Sequence, residues 1–122
     1  MTGVRVLNLT HPDTAPLSVR LCASFWSRFR GLMFTPSVAI HGGVLIDEKT
    51  DSRVNTTIHM FFMNYDIAAV WIDSAGVVVD RVLARRWQPY YAPSRPARYI
   101  LETHPDRLAD FQIDDRVKLL DE

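Results

Sequence analysis

The stretch from residue 67 to residue 79 reads IAAVWIDSAGVVV, and it predicts most clearly how the chain folds. Its first six residues are apolar and match the length of one strand. Asp73 and Gly76 then occupy the first and last positions of a four-residue turn, as type I turns prefer. A second apolar run begins at residue 77, and the strand that it starts is expected to continue through Val82 to about Leu83. We therefore expect an antiparallel β-hairpin in this part of the chain.

Apolar and polar side chains also alternate on both sides of this hairpin. A two-residue period is typical of half-buried strands. Further strands are predicted at residues 4–10, 19–23, 44–46, 56–63, 99–102 and 116–120. In the segment 56–63, one face is expected to carry Ile58, Met60 and Phe62, and the other Thr57, His59, Phe61 and Met63.

Two short helices interrupt the strands. Ser24 is a suitable N-cap for a helix over residues 25–30, and Gly31 suits the position that follows its end. A second helix is predicted to begin near Pro105, with Thr103 as its cap. Three apolar side chains near the first helix recur at helical spacing and are expected to anchor it on the core: Trp26, Phe29 and Met33.

The elements together predict a mainly β fold, a compact antiparallel barrel or sandwich of about seven or eight short strands with two short helices. The helices are too few and too short for parallel crossovers. The polar stretch 47–55 is expected to be a surface loop that moves or binds. The length of 122 residues predicts a single domain over residues 1–122.

Composition and charge exclude several classes of protein. Fourteen basic residues balance fourteen acidic ones, which argues against a dedicated nucleic-acid binder. No apolar stretch approaches the ~20 residues of a membrane helix, and the start resembles no signal peptide, so we expect a cytoplasmic protein. Cys22 is the only cysteine, which precludes an internal disulfide. We expect it to be an inert, partly buried thiol, although Arg20 beside it could activate it.

Three ordered blocks of sequence resemble the small bacterial and archaeal family DUF192, also called UPF0127. Residues 28–33 read RFRGLM, similar to the family's R-x-x-G-L-M, and residues 58–63 read IHMFFM, similar to its I-H-T-F-F-M. The third block is ARYILE at residues 97–102, followed by IDDRV at residues 113–117. The resemblance implies a compact β structure and leaves the biochemical activity open, since the family has none assigned.

The chain departs from the family pattern at two places. The family commonly has Pro-Ile-Asp after the methionine, whereas this chain has Asp66, Ile67 and Ala68. Asp115 stands where the family usually has a glycine.

His59 is the single residue most suggestive of chemistry. A histidine among apolar neighbours could act as a general base or contact a ligand or metal. It could equally be a neutral ring held by one buried hydrogen bond. Asp66 and Asp80, which follow His59 in the sequence, are its candidate carboxylate partners. The other histidines show no metal-binding spacing, and the glycines form no phosphate loop, so neither a metal nor another cofactor is expected.

A basic and aromatic segment runs from Arg81 to Arg98 without a single acidic residue between them. It contains Arg81, Arg85, Arg86, Arg95 and Arg98, interleaved with Trp87, Tyr90 and Tyr91. Arginines beside exposed aromatic rings suit anionic or stacking ligands. The same residues could instead form a lid over one end of the barrel. Our ligand-binding candidates are His59, Arg81, Arg85, Arg86, Trp87 and Tyr90.

Three functions remain open at this point. The first is a non-enzymatic module that binds a small anionic ligand or a protein partner through the arginine and aromatic loop, residues 85–91, together with the neighbouring face of His59. The second is a small hydrolase or isomerase that uses His59 with a nearby carboxylate. The third is a homodimer formed by exposed Trp or Tyr side chains.

Overall fold

The computed structural model describes residues 3–122, apart from the side chain of Phe25. The prediction of one domain also covered Met1 and Thr2, which lie outside the described residues. In chain order, the elements of the described part are β1 (Gly3–Asn8), β2 (Leu17–Cys22), α1 (Phe25–Arg30), β3 (Gly43–Ser52), β4 (Ile67–Ile72), β5 (Val78–Ala84), β6 (Ala97–Thr103), a 3₁₀ helix (Pro105–Asp110) and β7 (Val117–Asp121).

These seven strands form one curled sheet in the order β5-β4-β6-β3-β2-β1-β7. The two edges of the sheet meet at one end, where Val77 and Arg116 form an isolated antiparallel bridge. The fold is therefore mainly β, a half-barrel with two short helices, and it confirms the predicted fold class.

One pair of strands is parallel, which corrects the expectation that no parallel crossover exists. β2 and β3 run in the same direction and pair from Arg20 with Val44 to Cys22 with Ile46. A parallel connection needs a dozen or more residues. Residues 23–42 supply them, and α1 takes up only six. The remainder is irregular chain, which is why the periodicity did not reveal the crossover.

The sheet buries apolar side chains on both faces. One cluster includes Ile46, Trp71 and Ile100 and packs beneath the segments that follow α1 and β3. The other includes Leu45, Leu101 and Phe111. All six residues of β4 are buried, which explains why its sequence is continuously apolar instead of alternating.

The predicted hairpin is confirmed in β4 and β5, which pair antiparallel. The N–H of Gly76 donates to the Asp73 carbonyl at 3.0 Å, and the Asp73 carboxylate accepts from the N–H groups of Ala75 and Val77 at 3.0 and 2.9 Å. Gly76 has φ +84°, and a Cβ there would lie 2.8 Å from the Val117 carbonyl oxygen. Glycine is therefore needed to bring the turn against β7.

The N-cap of α1 is confirmed, whereas the predicted cap of the second helix is wrong. The Ser24 hydroxyl accepts from the Ser27 N–H at 3.2 Å. In the 3₁₀ helix, His104 Nδ1 accepts from the Asp106 N–H at 3.1 Å and occupies the cap position. Thr103 cannot cap because it is the last residue of β6, and its hydroxyl donates to the Gly42 carbonyl at 2.6 Å.

The stretch 47–55 is not wholly a surface loop, because residues 47–52 belong to β3. Asp47 pairs with Tyr99 and Ser52 with Ala97 on β6, and the register shifts between the two pairs. Lys49, with φ +72°, lies within the irregularity. Arg98 on β6 donates to both oxygens of Asp47, at 2.9 and 3.1 Å. A paired strand therefore carries these polar side chains.

The segment 56–63 is not a continuous strand, which corrects the prediction of a strand there. Ile58 forms one isolated bridge with Tyr91. The chain then turns at Phe62, which has φ +62°, and the Met63 N–H donates to the Met60 carbonyl at 3.3 Å. The turn removes Phe62 from the face of Ile58 and Met60, so those two are buried while Phe62 is 48% exposed.

Candidate functional site

A cavity of about 250 Å³ lies between the sheet, α1 with the residues after it, and the segment 55–63. Apolar side chains form its walls: Leu32, Met33, Ile46, Ile58, Met60, Met63 and Ile100. Polar and charged residues line the remainder: Arg28, Arg30, Glu48, Asn55, Thr57, His59 and Glu102, with Phe29 and Gly31. The cavity is thus mostly apolar and contains a few polar groups, as small-molecule sites usually are.

The local folding of α1 shapes one wall of the cavity. Gly31 ends the helix with φ +48°, and its N–H donates to the Ser27 carbonyl at 3.0 Å. The chain then passes over the sheet and buries Leu32 and Met33. A Cβ on Gly31 would lie 3.0 Å from Glu102 Oε1, so the absence of a side chain lets the backbone approach that carboxyl group.

Glu102 lines the cavity from the sheet and is almost completely buried, at 6% exposure. Its neighbours across the sheet are Val44 on β3 and Ala69 on β4. Burial raises the pKa of the Glu102 carboxyl from its usual 4.5 to about 7, and a hydrogen bond from the Leu32 backbone N–H acts in the opposite direction. At neutral pH this carboxyl group can therefore both accept and release a proton.

His59 lies half-buried in the cavity lining, between two aromatic rings. Its ring centroid is 6.2 Å from that of Phe29 and 5.4 Å from that of Phe61. Nδ1 accepts from the Phe61 N–H at 3.2 Å, so the neutral imidazole carries its proton on Nε2. Among residues 3–122, no carboxylate forms an ion pair with His59.

The two acids considered as carboxylate partners of His59 bind other groups instead. Asp66 Oδ1 accepts from the Arg86 N–H at 2.9 Å, and Asp66 Oδ2 lies 3.8 Å from the Arg85 guanidinium. Asp80 Oδ2 accepts from the Ser94 N–H at 2.8 Å. The carboxyl groups that share a cavity with His59 are instead those of Glu48 and Glu102.

The polar rim of the cavity is already partly paired. Arg28 Nε lies 3.5 Å from Glu48 Oε1, and Arg28 Nη1 donates to the Ala23 carbonyl at 3.0 Å. Arg30 Nε donates to the Met33 carbonyl at 3.4 Å. These bonds fix the two arginines to the protein backbone at the edge of the cavity.

Two of the three side chains expected to anchor α1 on the core are exposed instead. Trp26 is 73% exposed and Phe29 is 56% exposed, whereas Met33 is buried as expected. The prediction was wrong for the two rings, because α1 is a six-residue helix and the buried apolar side chains come from Leu32 and Met33, which follow it. Phe29 consequently remains available at the cavity.

The arginine and aromatic loop does not line this cavity but supports one of its walls. The Trp87 N–H donates to the Met60 carbonyl at 2.8 Å, and the Met60 N–H donates to the Gln88 carbonyl at 3.0 Å. The Trp87 ring packs edge-on against Phe62, with centroids 5.4 Å apart. Tyr90 is 64% exposed.

The predicted arginines are dispersed, and most bind groups elsewhere on the protein. Arg81 donates to the Leu108 carbonyl and to Gln112, on the side of the 3₁₀ helix. Arg86 lines a second cavity of about 370 Å³ together with His104. The remaining three have acidic partners distant in sequence: Arg85 with Asp66, Arg95 with Asp114 and Arg98 with Asp47.

Cys22 does not contribute to a reactive site. It is fully buried, and burial raises the pKa of its thiol, while the charge of Arg20 acts in the opposite direction. Within residues 3–122, no cluster of three or more His, Cys, Asp or Glu side chains could hold a metal ion. In the same described part, no helix is long and apolar enough to cross a bilayer.

Sequence reasoning missed Glu102, although a signal for it exists. Residues 97–103 read ARYILET, and Ile100 is buried on the face of α1. Two-residue alternation places Glu102 on the same face as Ile100. An acidic residue two positions from a buried apolar residue of the same strand therefore indicates a buried carboxyl group.

Comparison with known families and sequences gives consistent matches. Residues 7–119 match the family model DUF192, which is described as "Uncharacterized ACR". A UPF0127 protein of Thermococcus sibiricus is 41% identical over 85 residues, which are 70% of this chain and 53% of that protein. A UPF0127 protein of Pyrococcus furiosus is 34% identical over 97 residues, 80% of each. The chain spans about half the length of the first curated relatives that it matches.

Two solved structures share the fold. One, provisionally described as a transcription regulator from Sinorhizobium meliloti 1021, superposes with a TM-score of 0.82 at 21% identity and covers 96% of this chain and 92% of its own. The other, a protein of unknown function from Novosphingobium aromaticivorans, has a TM-score of 0.75 at 15% identity and covers 95% and 83%. At these identities the likeness concerns the fold alone.

Proposed function

The chain belongs to the DUF192 family, and we propose that it is a binding module for a small organic ligand held between α1 and the sheet. The observation that carries this proposal is a cavity with aliphatic walls and a buried carboxyl group, Glu102, at its sheet side. Apolar walls provide affinity through burial, and one polar group fixes the orientation of the ligand.

The size of the cavity limits the ligand. A volume of about 250 Å³ lies below the range of roughly 300–1,000 Å³ that drug-sized ligands occupy. It equals roughly eight water volumes of about 30 Å³ each. A molecule of about seven or eight non-hydrogen atoms therefore fits.

The arginine and aromatic loop has a supporting role in this proposal. Its backbone bonds hold Met60, and Trp87 packs on Phe62, so the loop fixes the wall that carries His59. Of the predicted ligand-binding residues, His59 contacts the ligand. Arg86 belongs to the second cavity, where a separate anion could bind beside His104.

Acid–base catalysis is a second candidate, and one observation favours it. The cavity contains both His59 and a carboxyl group whose pKa is raised to about 7 by burial. Carboxyl groups in this range act as general acids or bases near neutral pH. A hydrolase or isomerase of this kind would lose turnover in both His59→Ala and Glu102→Gln.

A fragment screen by NMR on ¹⁵N-labelled protein tests the binding proposal. We expect a ligand to shift the amide signals of Leu32, Met60 and Ile100 together. Thr57→Trp places a large ring at an exposed position of the rim and should abolish these shifts. Thr50→Trp, at an exposed site on β3 outside the cavity, is the matched control and should retain them.

Two results would contradict the proposal. One is a screen in which no fragment moves the cavity signals. The other is binding that Thr57→Trp leaves intact, because the ligand would then occupy another site. Turnover of any bound fragment, with a pH profile that inflects near 7, would favour the catalytic candidate instead.

A further inference from the structure

The Glu102 carboxyl group has few partners for a buried acid. Among residues 3–122, no side chain forms an ion pair or side-chain hydrogen bond with it. The hydrogen bond from the Leu32 backbone N–H is the contact that stabilises its charged form. Buried carboxylates are normally paired with a cation or with several donors. Its remaining lone pairs are therefore available to a group in the cavity.

The charged and titratable groups around Glu102 come from three elements. From β2, Arg20 donates through Nη2 to the Gly31 carbonyl at 3.1 Å, and Cys22 is an uncharged thiol whose pKa Glu102 helps to raise. From the segment before β4, the Tyr65 hydroxyl shares a 2.6 Å hydrogen bond with Thr35. His59 faces the cavity from the segment after β3.

The charged side chains at the rim have partners within the protein. Arg28 pairs with Glu48, and Arg30 is bound to the Met33 carbonyl. Burial and the Leu32 hydrogen bond govern the Glu102 pKa, and none of the ion pairs found among the described residues includes this carboxylate. The cavity lining thus contains a buried acceptor that takes part in none of these ion pairs.

We propose, on the basis of the proposed function, that the cavity selects small organic amines, with the ammonium group bound to Glu102 and the alkyl chain against the aliphatic walls. An ammonium group supplies both the missing charge and up to three hydrogen-bond donors. An alcohol supplies one donor without charge. A carboxylate is repelled by ionised Glu102 and has no donor to offer.

The proposal implies a definite pH dependence. The amine pairs with ionised Glu102, and burial raises the Glu102 pKa to about 7. The ionised fraction falls about tenfold from pH 8 to pH 6, so the affinity for a permanently protonated amine falls about tenfold over the same interval. Alkylamines with a pKa like that of lysine, about 10.4, remain protonated throughout.

Calorimetric titration of the full chain with three ligands of similar size tests the inference: n-hexylamine, n-hexanol and n-hexanoate. We expect n-hexylamine to bind at least tenfold more tightly than the other two at pH 8, and about tenfold more weakly at pH 6 than at pH 8. Glu102→Gln should lose the preference for the amine and retain binding of n-hexanol. Asp13→Asn, at an exposed carboxyl group outside the cavity, is the matched control and should keep the preference, whereas Glu48→Gln reports on the carboxylate at the rim.

The outcomes separate this inference from the proposed function. Equal affinity for n-hexanol and n-hexylamine overturns the selection of amines, while binding in the cavity stands. A preference that Glu48→Gln abolishes and Glu102→Gln retains also overturns it, because the ammonium group would then lie at the rim. If none of the three ligands and none of the screened fragments binds in the cavity, the proposed function itself is refuted. Should Glu102→Gln fail to fold, the pH dependence of the unaltered chain decides, and equal affinity at pH 6 and pH 8 overturns the inference.

Discussion

Replacing Glu102 by Gln should stabilise the protein at alkaline pH, whereas most substitutions of buried residues destabilise a protein. The folded chain holds this carboxyl group in a nearly closed environment at 6% exposure. Burial raises its pKa from 4.5 to about 7. Between these values the folded chain binds the proton more tightly than the unfolded chain does. Unfolding therefore releases a proton, and the free energy of unfolding decreases as the pH rises.

The magnitude follows from the size of this pKa change. One pKa unit corresponds to about 1.4 kcal/mol, so a rise from 4.5 to about 7 makes the folded state about 3 kcal/mol less stable above pH 7 than below pH 4.5. Gln has nearly the same shape as protonated Glu and carries no titratable proton. We expect Glu102→Gln to match the unaltered chain within about 1 kcal/mol at pH 4 and to exceed its stability by about 3 kcal/mol at pH 8.

Urea unfolding at a series of pH values measures this effect. Only the difference between the two proteins is interpreted, because other groups titrate as well. Burial raises the pKa of Asp47, but hydrogen bonds from Arg98 and Lys49 outweigh it and lower the pKa overall, so its contribution to stability is lost as the pH falls through the acid range. That loss is common to both proteins and cancels in the difference. Asp13→Asn, at an exposed carboxyl group, should leave the whole profile unchanged and serves as the control.

A difference between the two unfolding free energies that stays constant from pH 4 to pH 8 would refute the reasoning. It would mean that Glu102 gains no proton on folding, and therefore that the carboxyl group is solvated or paired with a cation. The inferred selection of amines would lose its basis at the same time.

Three further changes test the elements that position the cavity. Ser24→Ala removes the N-cap of α1 and should cost about 1 kcal/mol in urea unfolding; an unchanged midpoint would show that the cap is not needed. Gly43→Ala should cost roughly 3 kcal/mol or more, because φ is +136° and the new Cβ would lie 2.1 Å from the Glu102 carbonyl oxygen; a midpoint like that of the unaltered chain would contradict this strain. Trp71→Phe removes the indole N–H that donates to the Thr56 carbonyl at 2.7 Å and should lower the free energy of unfolding by about 2 kcal/mol. Thermal unfolding curves, followed by circular dichroism, that coincide for the variant and the parent chain would contradict this cost.

The parts of the fold that we predicted correctly from the sequence are those that depend on residues close together in the chain. The turn at Asp73 and Gly76 and the cap at Ser24 depend on side chains within a few residues of the backbone groups that they bind. The strand character of residues 47–52 has a distant cause, since it depends on pairing with β6 some fifty residues further along the chain. Periodicity cannot show that partner, and the polar composition of the stretch favoured a loop. The break at Phe62 is likewise imposed by the contacts of Met60 with the Gln88 region.

The candidate site divides in the same way. His59 could be identified from sequence because a histidine among apolar residues is conspicuous by itself. The partners of the arginines could not, because Asp47 and Arg98 are 51 residues apart in the chain and meet only across two paired strands. Acidic residues distant in sequence thus pair with guanidinium groups that, from the sequence alone, we expected to bind an anionic ligand. The basic segment accordingly contributes more to the structure of the sheet and its loops than its charge suggested.

A comparison with Asp115, a second buried acid, shows why the environment of Glu102 indicates a function and not packing alone. Both carboxyl groups are buried, at 4% and 6% exposure. Asp115 accepts from the Asn8 amide and the Gln112 N–H, each at 2.9 Å, and lies 3.2 Å from His11 Nε2. Three donors from three segments thereby fasten β1 to the turn before β7. In the described part of the chain, Glu102 takes part in no such network; it receives a backbone hydrogen bond from Leu32 and borders a cavity, and its burial makes ionisation lower the stability. A ligand that supplies the missing donors would recover that free energy on binding, and the same acid that weakens the empty fold would then determine which ligand it accepts.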